Sequence, residues 1–153
     1  MDDTSAIDRS DPQALAEACA ARMWRTDRAS QALGMRIDRI APGEAVMSMA
    51  IRADMTNGHE ICHGGYMFTL ADSTFAFACN TYGQRTVAQQ CAVTFLRPVK
   101  AGATLTAHAI QRTKSGRSGI YDVTVRDEDH VVVAEFRGHS RTIAGDILAP
   151  APS

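Results

Sequence analysis

Asp72 is the one charged residue in a long and otherwise uncharged stretch of the chain, GYMFTLADSTFAFACN, which runs from Gly65 to Asn80. This pattern predicts a buried helix over 65–80. At 100° per residue both sides of that helix are apolar, so no solvated face is available for a carboxylate. An ionised carboxylate in such surroundings costs several kcal/mol unless it is paired or hydrogen-bonded. Asp72 is therefore a catalytic carboxylate, a cap for a neighbouring loop, or a group that faces water at an open end of the helix.

The tripeptide His63-Gly64-Gly65 stands at the start of the same predicted helix. Backbone N–H groups there lack partners within the helix, and the helix dipole favours negative charge. Two glycines let a ligand carbonyl or another backbone segment approach closely. An N–H group at this point is well placed to hold the oxyanion that forms when a carbonyl is attacked. An ordinary loop-to-helix turn also uses Gly-Gly, so that interpretation stays open.

The spacing between the two candidate groups has a geometric consequence. Gly64 and Asp72 are eight residues apart, or ~12 Å along a helix that rises 1.5 Å per residue. Both cannot contact one reacting carbonyl over that distance. A second, antiparallel copy of the helix would bring Asp72 of one subunit towards Gly64 of the other. If both groups are catalytic, the site lies across a two-fold interface and occurs twice per dimer.

The rest of the sequence predicts an α+β domain around this helix. Asp11-Pro12 is a good start for an N-terminal helix over 11–29, and hydrophobic alternation predicts a β-hairpin over about 35–51. An irregular loop follows at 54–64. Four further strands are predicted at 86–97, 103–113, 118–127 and 130–143. One apolar helix among six antiparallel strands indicates a curved sheet wrapped around that helix.

Length and composition limit the class of protein. With 153 residues the chain suits one domain, expected at 11–145 between flexible tails at 1–10 and 146–153. A net charge of −1 argues against a nucleic-acid-binding protein. The acidic start does not resemble a signal peptide, no apolar run approaches the ~20 residues of a membrane span, and the four cysteines form no CxxC pair. We therefore expect a cytoplasmic protein with reduced thiols and no membrane partner.

The run NGHEICHGGYMFTLADSTFAFACN, from Asn57 to Asn80, closely resembles the corresponding segment of the PaaI-type hotdog-fold thioesterases, which are phenylacetic acid degradation proteins. Further matches follow in order, at FLRP (95–98), YDV (121–123) and VAEFRG (133–138). The resemblance spans roughly residues 30–145, and HGG followed by LAD at this spacing is a specific motif. It implies a hotdog fold, in which a curved antiparallel sheet surrounds one long helix. It also implies a homodimer with a continuous sheet, often assembled further into a tetramer.

The resemblance implies a role for each matching residue. Asp72 corresponds to the catalytic aspartate, which acts as a general base on water or as a nucleophile. Gly64 and Gly65 correspond to the turn whose amide polarises the thioester carbonyl. Asn57 and His63 correspond to polar residues that orient substrate and water. The implied reaction is hydrolysis of acyl-CoA, with phenylacetyl-CoA or its ring-hydroxylated relatives as substrates, to the free acid and coenzyme A without a metal or redox cofactor.

Five further residues are candidates for binding the substrate. Gln89 and Gln90 fall where related sequences carry small residues, which implies an acyl pocket of different shape. Arg112, Lys114 and Arg117 flank a Ser-Gly turn and are candidates for contacting the phosphates of coenzyme A. A solvated hairpin tip explains the same basic residues equally well.

Metal binding and thiol chemistry are both disfavoured by the sequence. His59, Cys62 and His63 form a HxxCH cluster, but no second pair of ligands occurs at the spacing of a zinc finger. Cys79 and Cys91 lie in apolar stretches with no histidine nearby in sequence, so we expect both to be buried, inert thiols.

Two other functions remain as alternatives. A hotdog enoyl-CoA hydratase would be expected to pair an aspartate with a histidine close in sequence, whereas His63 precedes Asp72 by nine residues. A non-catalytic acyl-CoA-binding module would be expected to lack the carboxylate or to carry an appended DNA-binding segment. Release of free thiol from a panel of acyl-CoA esters distinguishes all three functions.

Overall fold

The computed structural model describes residues 7–150, so the predicted tail residues 1–6 and 151–153 lie outside the described part. This described part contains three α-helices and six β-strands, with a short 3₁₀ turn at Ala53–Met55. The helices are α1 (Pro12–Trp24), α2 (Arg28–Ala32) and α3 (Gly64–Cys79). The strands are β1 (Arg36–Ala41), β2 (Glu44–Ala50), β3 (Gln84–Phe95), β4 (Thr104–Ser115), β5 (Ser118–Arg126) and β6 (Val132–Asp146).

A single antiparallel sheet with strand order β1-β2-β4-β5-β6-β3 wraps around α3. The inward face follows the two-residue period of a strand. In β5, for example, Tyr121, Val123 and Val125 are buried while the residues between them are partly exposed. The structure thus confirms the predicted α+β hotdog architecture, with its central helix and additional N-terminal helix. Among residues 7–150, no helix is both long enough and apolar enough to span a membrane.

The contact between α3 and β6 depends on a glycine. Phe75 of α3 is fully buried and packs against the rings of Tyr121 and Phe136, at 5.5 and 5.8 Å between centroids. A β-carbon on Gly138 would lie 2.8 Å from three atoms of the Phe75 ring. The missing side chain at this position therefore lets the helix approach the sheet closely enough to bury the ring.

The N-terminal segment differs from the single helix predicted over 11–29. Asp11 caps α1 by accepting the N–H groups of the next turn. Helix α1 then ends at Trp24. Asp27 caps the separate helix α2 by accepting the N–H of Ser30 at 3.0 Å. Because aspartate competes for backbone N–H groups outside a helix, it favours a new start over continuation. α1 covers the β1 edge of the sheet, where Gln13 Nε2 donates to the Ile40 carbonyl at 2.7 Å.

The predicted C-terminal tail, residues 146–153, begins at the last residue of a strand, because β6 continues to Asp146. The N–H of Ile147 donates to the carbonyl of Gly83 at 2.9 Å. Arg9 forms an ion pair of 2.9 Å with Asp146, so the described parts of the two predicted tails contact each other.

Asn80 fixes the direction in which the chain leaves α3. Its side-chain nitrogen donates to the carbonyls of Ala76 and Thr86, both at 2.9 Å. Its side-chain oxygen accepts the N–H of Thr86 at 2.9 Å. The last turn of the helix is thereby tied to the beginning of β3, and the strand runs back along α3 towards the helix start.

Gly138→Ala should destabilise the protein by about 1–3 kcal/mol, because the new methyl group must displace a buried ring in a packed core. Thermal or denaturant unfolding measures the effect. Gly58→Ala is the matched control, since a β-carbon there meets no atom within 4 Å. Its unfolding free energy should stay within about 0.5 kcal/mol of the parent protein. Equal stability of the two variants would contradict the close contact.

Candidate active site

The carboxylate of Asp72 is half-buried on the face of α3 that lies against β3. Among the described side chains its hydrogen-bonding contact is with Cys91, whose Sγ lies 3.9 Å from Oδ1. Burial raises the pKa of Asp72 above its ordinary value, and the thiol offsets part of that rise. No N–H of a described loop donates to Asp72, so the structure gives it no capping role. A half-buried carboxylate without an ionic partner is suited to act as a base or nucleophile.

The cysteines nearest Asp72 are neutral thiols. Burial, together with the charge of Asp72, raises the pKa of Cys91 to about 11 and that of Cys79 to about 12. Cys79 is buried, as the sequence predicts. The prediction that Cys91 is buried is wrong, because β3 is an edge strand and leaves this thiol half-exposed.

His63 is the N-cap residue of α3 and satisfies two N–H groups of the first turn. Its Nδ1 accepts the N–H of Gly65 at 3.0 Å. Its carbonyl accepts the N–H of Tyr66, also at 3.0 Å. Histidine therefore replaces the Ser, Thr, Asp or Asn that usually holds this position. One of the two predicted glycine amides, that of Gly65, is already occupied by the cap.

The amide of Gly64 is the one left open at the helix start. A further N–H group of the first turn, that of Met67, is directed at the thiol of Cys62. This contact lowers the pKa of Cys62, but burial of the thiol raises that pKa by more. Within the described residues the N–H of Gly64 has no acceptor. The Phe95 ring covers this glycine so closely that an added β-carbon would lie 2.8 Å from the ring tip. A ligand oxygen that seeks a donor at this helix end meets the amide of Gly64.

Asn57 shapes the loop that leads to the helix. Its side-chain oxygen accepts the N–H of His59 at 2.9 Å, and its own N–H donates to the carbonyl of Ile61 at 2.9 Å. The N–H of His63 in turn donates to the carbonyl of Met55 at 2.8 Å. These bonds give Asn57 and His63 a local folding role. Any role towards a substrate rests on the resemblance.

The five predicted substrate-binding residues lie in two separate regions. Gln89 and Gln90 are exposed on β3, where the register with β6 shifts between Ala88 and Gln90. This β-bulge lies directly before Cys91 on the strand that faces Asp72.

The basic residues lie in or beside the β4–β5 hairpin, and two of them, Arg112 and Lys114, already have partners within the chain. Arg112 Nε donates to Asp122 at 2.8 Å. Lys114 Nζ lies 4.1 Å from the centre of the Tyr82 ring. Arg117 is exposed at the hairpin turn. No described contact joins these three side chains to Asp72 or to the start of α3.

The described residues contain no group of three or more His, Cys, Asp or Glu side chains arranged to hold a metal ion. Two clefts of about 410 and 230 Å³ open near β1, one beside α1 and the other beside β2. Neither cleft is lined by Asp72, Cys91 or Gly64. The candidate groups therefore lie on a surface of the single chain rather than in one of these clefts.

Residues 59–134 match the model of the thioesterase superfamily. The acyl-coenzyme A thioesterase PaaI of Escherichia coli K12 is 44% identical over 129 residues, which cover 84% of this chain and 92% of that protein. The chain belongs to the PaaI-type hotdog-fold thioesterases. The solved E. coli PaaI protein from the phenylacetic acid degradation operon superposes with a TM-score of 0.87 at 42% identity, over 89% of this chain and 99% of that one. A variant of PaaI from Thermus thermophilus gives 0.72 at 40% identity, over 74% and 97%.

Two neighbours of the candidate groups were missed by sequence reasoning about this hotdog thioesterase. Cys91 contacts Asp72, and Phe95 covers Gly64. The two-residue period of a strand does place residues 91, 93 and 95 on one face. It does not give the direction in which the strand runs along α3, so it could not pair these residues with Asp72 and Gly64.

Replacing His63 by alanine should cost about 1 kcal/mol of stability, because the N–H of Gly65 loses its acceptor. His63→Asn should retain most of that stability, since asparagine is among the best N-cap residues. Unfolding midpoints of the two variants and the parent protein test the cap. Equal losses in both variants would contradict it.

Proposed function

We propose that this thioesterase hydrolyses acyl-CoA esters to the free acid and coenzyme A, with Asp72 as the catalytic carboxylate. The observation that carries the proposal is a half-buried aspartate without an ionic partner on the same helix whose open amide, that of Gly64, is a ready oxyanion donor. The 44%-identical E. coli relative, named an acyl-coenzyme A thioesterase, supports the substrate class. The proposed hydrolysis involves no electron transfer and uses only a carboxylate, water and a hydrogen-bond donor for the oxyanion, so we propose that neither a redox cofactor nor a metal takes part.

In the proposed reaction the ionised carboxylate of Asp72 either takes a proton from the attacking water or adds to the thioester carbonyl itself. Both routes place negative charge on the carbonyl oxygen, where one amide donor contributes roughly 3 kcal/mol. Collapse of the intermediate breaks the carbon–sulfur bond and releases coenzyme A as a thiolate, which takes the proton held by Asp72 in the first route and a proton from solvent water in the second. In the second route, water then cleaves the acyl–aspartate anhydride.

We further propose that each site combines Asp72 of one subunit with Gly64 of a second copy. The unbroken helix α3 keeps the two positions ~12 Å apart within a chain. Of the two sheet edges, β1 is covered by α1, whereas β3 exposes Val87 and Phe95 by 42 and 48%, and Leu96 directly after the strand is 53% exposed. A long, apolar edge strand is a template for pairing with another chain. Pairing of two β3 strands, with further assembly into a tetramer, covers this edge and brings two copies of α3 side by side.

For the acyl group we propose phenylacetyl or a ring-hydroxylated relative. The support is the E. coli PaaI protein, which comes from the phenylacetic acid degradation operon, and the phenylacetic acid degradation protein of Thermus thermophilus. A hydratase is disfavoured, because it would be expected to pair an aspartate with a histidine close in sequence, whereas His63 precedes Asp72 by nine residues. Initial rates of thiol release from phenylacetyl-CoA and straight-chain acyl-CoA esters test the proposed acyl group.

Asp72→Asn should lower kcat for phenylacetyl-CoA by about 10²–10⁴-fold, the range for loss of a catalytic base. The same change should raise the free energy of unfolding at neutral pH by about 1 kcal/mol, since it removes a half-buried charge. A carboxyl with a raised folded pKa destabilises the folded state when ionised. The gain should therefore be largest at neutral pH and vanish below the unfolded pKa of about 3.9. Thiol-release assays and unfolding at several pH values measure both effects.

Asp54→Asn is the matched control, because Asp54 is an exposed carboxylate paired with Arg52 at 3.0 Å. It should leave kcat unchanged. Near-normal turnover by the Asp72 variant would overturn the proposed role.

A mixed dimer tests whether the site is shared between subunits. Gly64→Pro removes the open N–H at the first helical position, where proline is tolerated and His63 already has extended backbone angles. Each homodimer, Gly64→Pro or Asp72→Asn, should be nearly inactive. Co-expressed heterodimers of the two, purified with different tags, should recover about half of the parent activity, because one of their two sites is intact.

Gly64→Ala is the matched control for the proline variant, because it makes the same contact with Phe95 but keeps the N–H. Its activity should exceed that of the proline variant by at least about tenfold. Heterodimers as inactive as the homodimers would place both groups of a site in one subunit.

A further inference from the structure

The direction of β3 brings particular residues of the strand to particular turns of α3. Phe95 lies against Gly64, and Cys91 lies against Asp72. Four strand residues at about 3.3 Å each match eight helical residues at 1.5 Å each, so both contacts fit one register. At the other end of β3, the hydrogen bonds between the Asn80 side chain and the backbone of Thr86 fix where the strand starts relative to α3. The meeting of Cys91 with Asp72 is thus set by the fold and not by an isolated side-chain rotamer.

The two groups at this meeting point are unlike in charge. The Cys91 thiol, with a pKa of about 11, keeps its proton at physiological pH. It is a donor with nothing else to donate to among the described residues, and Oδ1 of Asp72 is its acceptor at 3.9 Å. The other titratable group near Asp72 is the neutral thiol of Cys79 on α3. No described charged side chain pairs with Asp72.

We infer that Cys91 is a positioning residue, whose thiol holds Oδ1 of Asp72 so that Oδ2 is directed at the substrate or water. The inference rests on the proposed function, because the orientation of Asp72 matters only if its carboxylate reacts. A carboxylate rotates freely about its last bond unless one oxygen is held, and a small misalignment of a reacting group slows catalysis strongly. Hydrogen bonds of this kind are often long before substrate binds and shorten in the complex. A sulfur–oxygen distance of 3.9 Å fits that state.

A matched pair of variants separates donation from packing. Cys91→Ser replaces the thiol by a hydroxyl donor of similar shape, whereas Cys91→Val fills the space and suits a β-strand but has no donor. The valine variant should lose about threefold to tenfold in kcat for phenylacetyl-CoA, with KM within about twofold of the parent value. The midpoint of the acid limb of kcat should also move to higher pH, because the ionised carboxylate loses a donor. The serine variant should retain kcat within about twofold.

A second measurement does not depend on turnover. In protein labelled with ¹³C at the aspartate carboxyl carbon, the resonance of Asp72 is identified by its disappearance in Asp72→Asn. Its titration midpoint should be higher in Cys91→Val than in the parent protein and in Cys91→Ser. An unchanged titration and unchanged kcat in the valine variant would overturn the inference, as would equal losses in both variants. A parent protein that releases no thiol from any acyl-CoA overturns the proposed function instead, while the titration still tests the Asp72–Cys91 contact.

Discussion

The enclosure of α3 by the sheet is the constraint on which the rest of the structure depends. Most of the helix is apolar, and its side chains Leu70, Phe75 and Phe77 are essentially removed from solvent. Burial of each such side chain contributes about 1.5–3 kcal/mol. Together they outweigh the cost of one half-buried carboxylate, which is of the order of a few kcal/mol. The core therefore tolerates Asp72, and the tolerance is greatest where the sheet ends at β3.

The position of Asp72 opposite the edge strand β3 determines how large the cost of burying its carboxylate is. Had Asp72 faced the middle of the sheet, it would meet the fully buried side chains of β4 and β5. Instead it faces β3, which has a neighbour on one side only and supplies a neutral thiol. The carboxylate is thus removed from water far enough for its pKa to rise but is not neutralised by a cation. That is the state in which a carboxylate is both basic and reachable.

The sequence predicted the helices and strands, because each depends on residues that are close together in the chain. It did not predict the contacts between them, which depend on residues that are far apart in the chain. The apolar run identified α3, and strand periodicity identified the sheet, because both depend on residues within one element. The cap by His63, the break before Asp27 and the bulge at Gln89 are local choices between competing backbone partners, which a pattern leaves undecided. The meeting of Cys91 with Asp72 depends on the direction and register of β3. That direction and register are fixed by the hydrogen bonds between Asn80 and Thr86 and by packing along the whole strand, not by any residue near Asp72.

The rigidity of α3 links catalysis to assembly under the proposed function. Gly64 and Asp72 are held at a fixed separation by the intervening helical turns, so no loop movement inside one subunit can bring them to the same carbonyl. Only a second helix can do so, and the surface available for it lies beside the exposed apolar residues of β3. The contact that completes the site is then the same contact that covers the aggregation-prone edge. Under the proposed function, loss of this interface would therefore both leave Val87 and Phe95 of β3 exposed and separate Asp72 from Gly64 of the second copy.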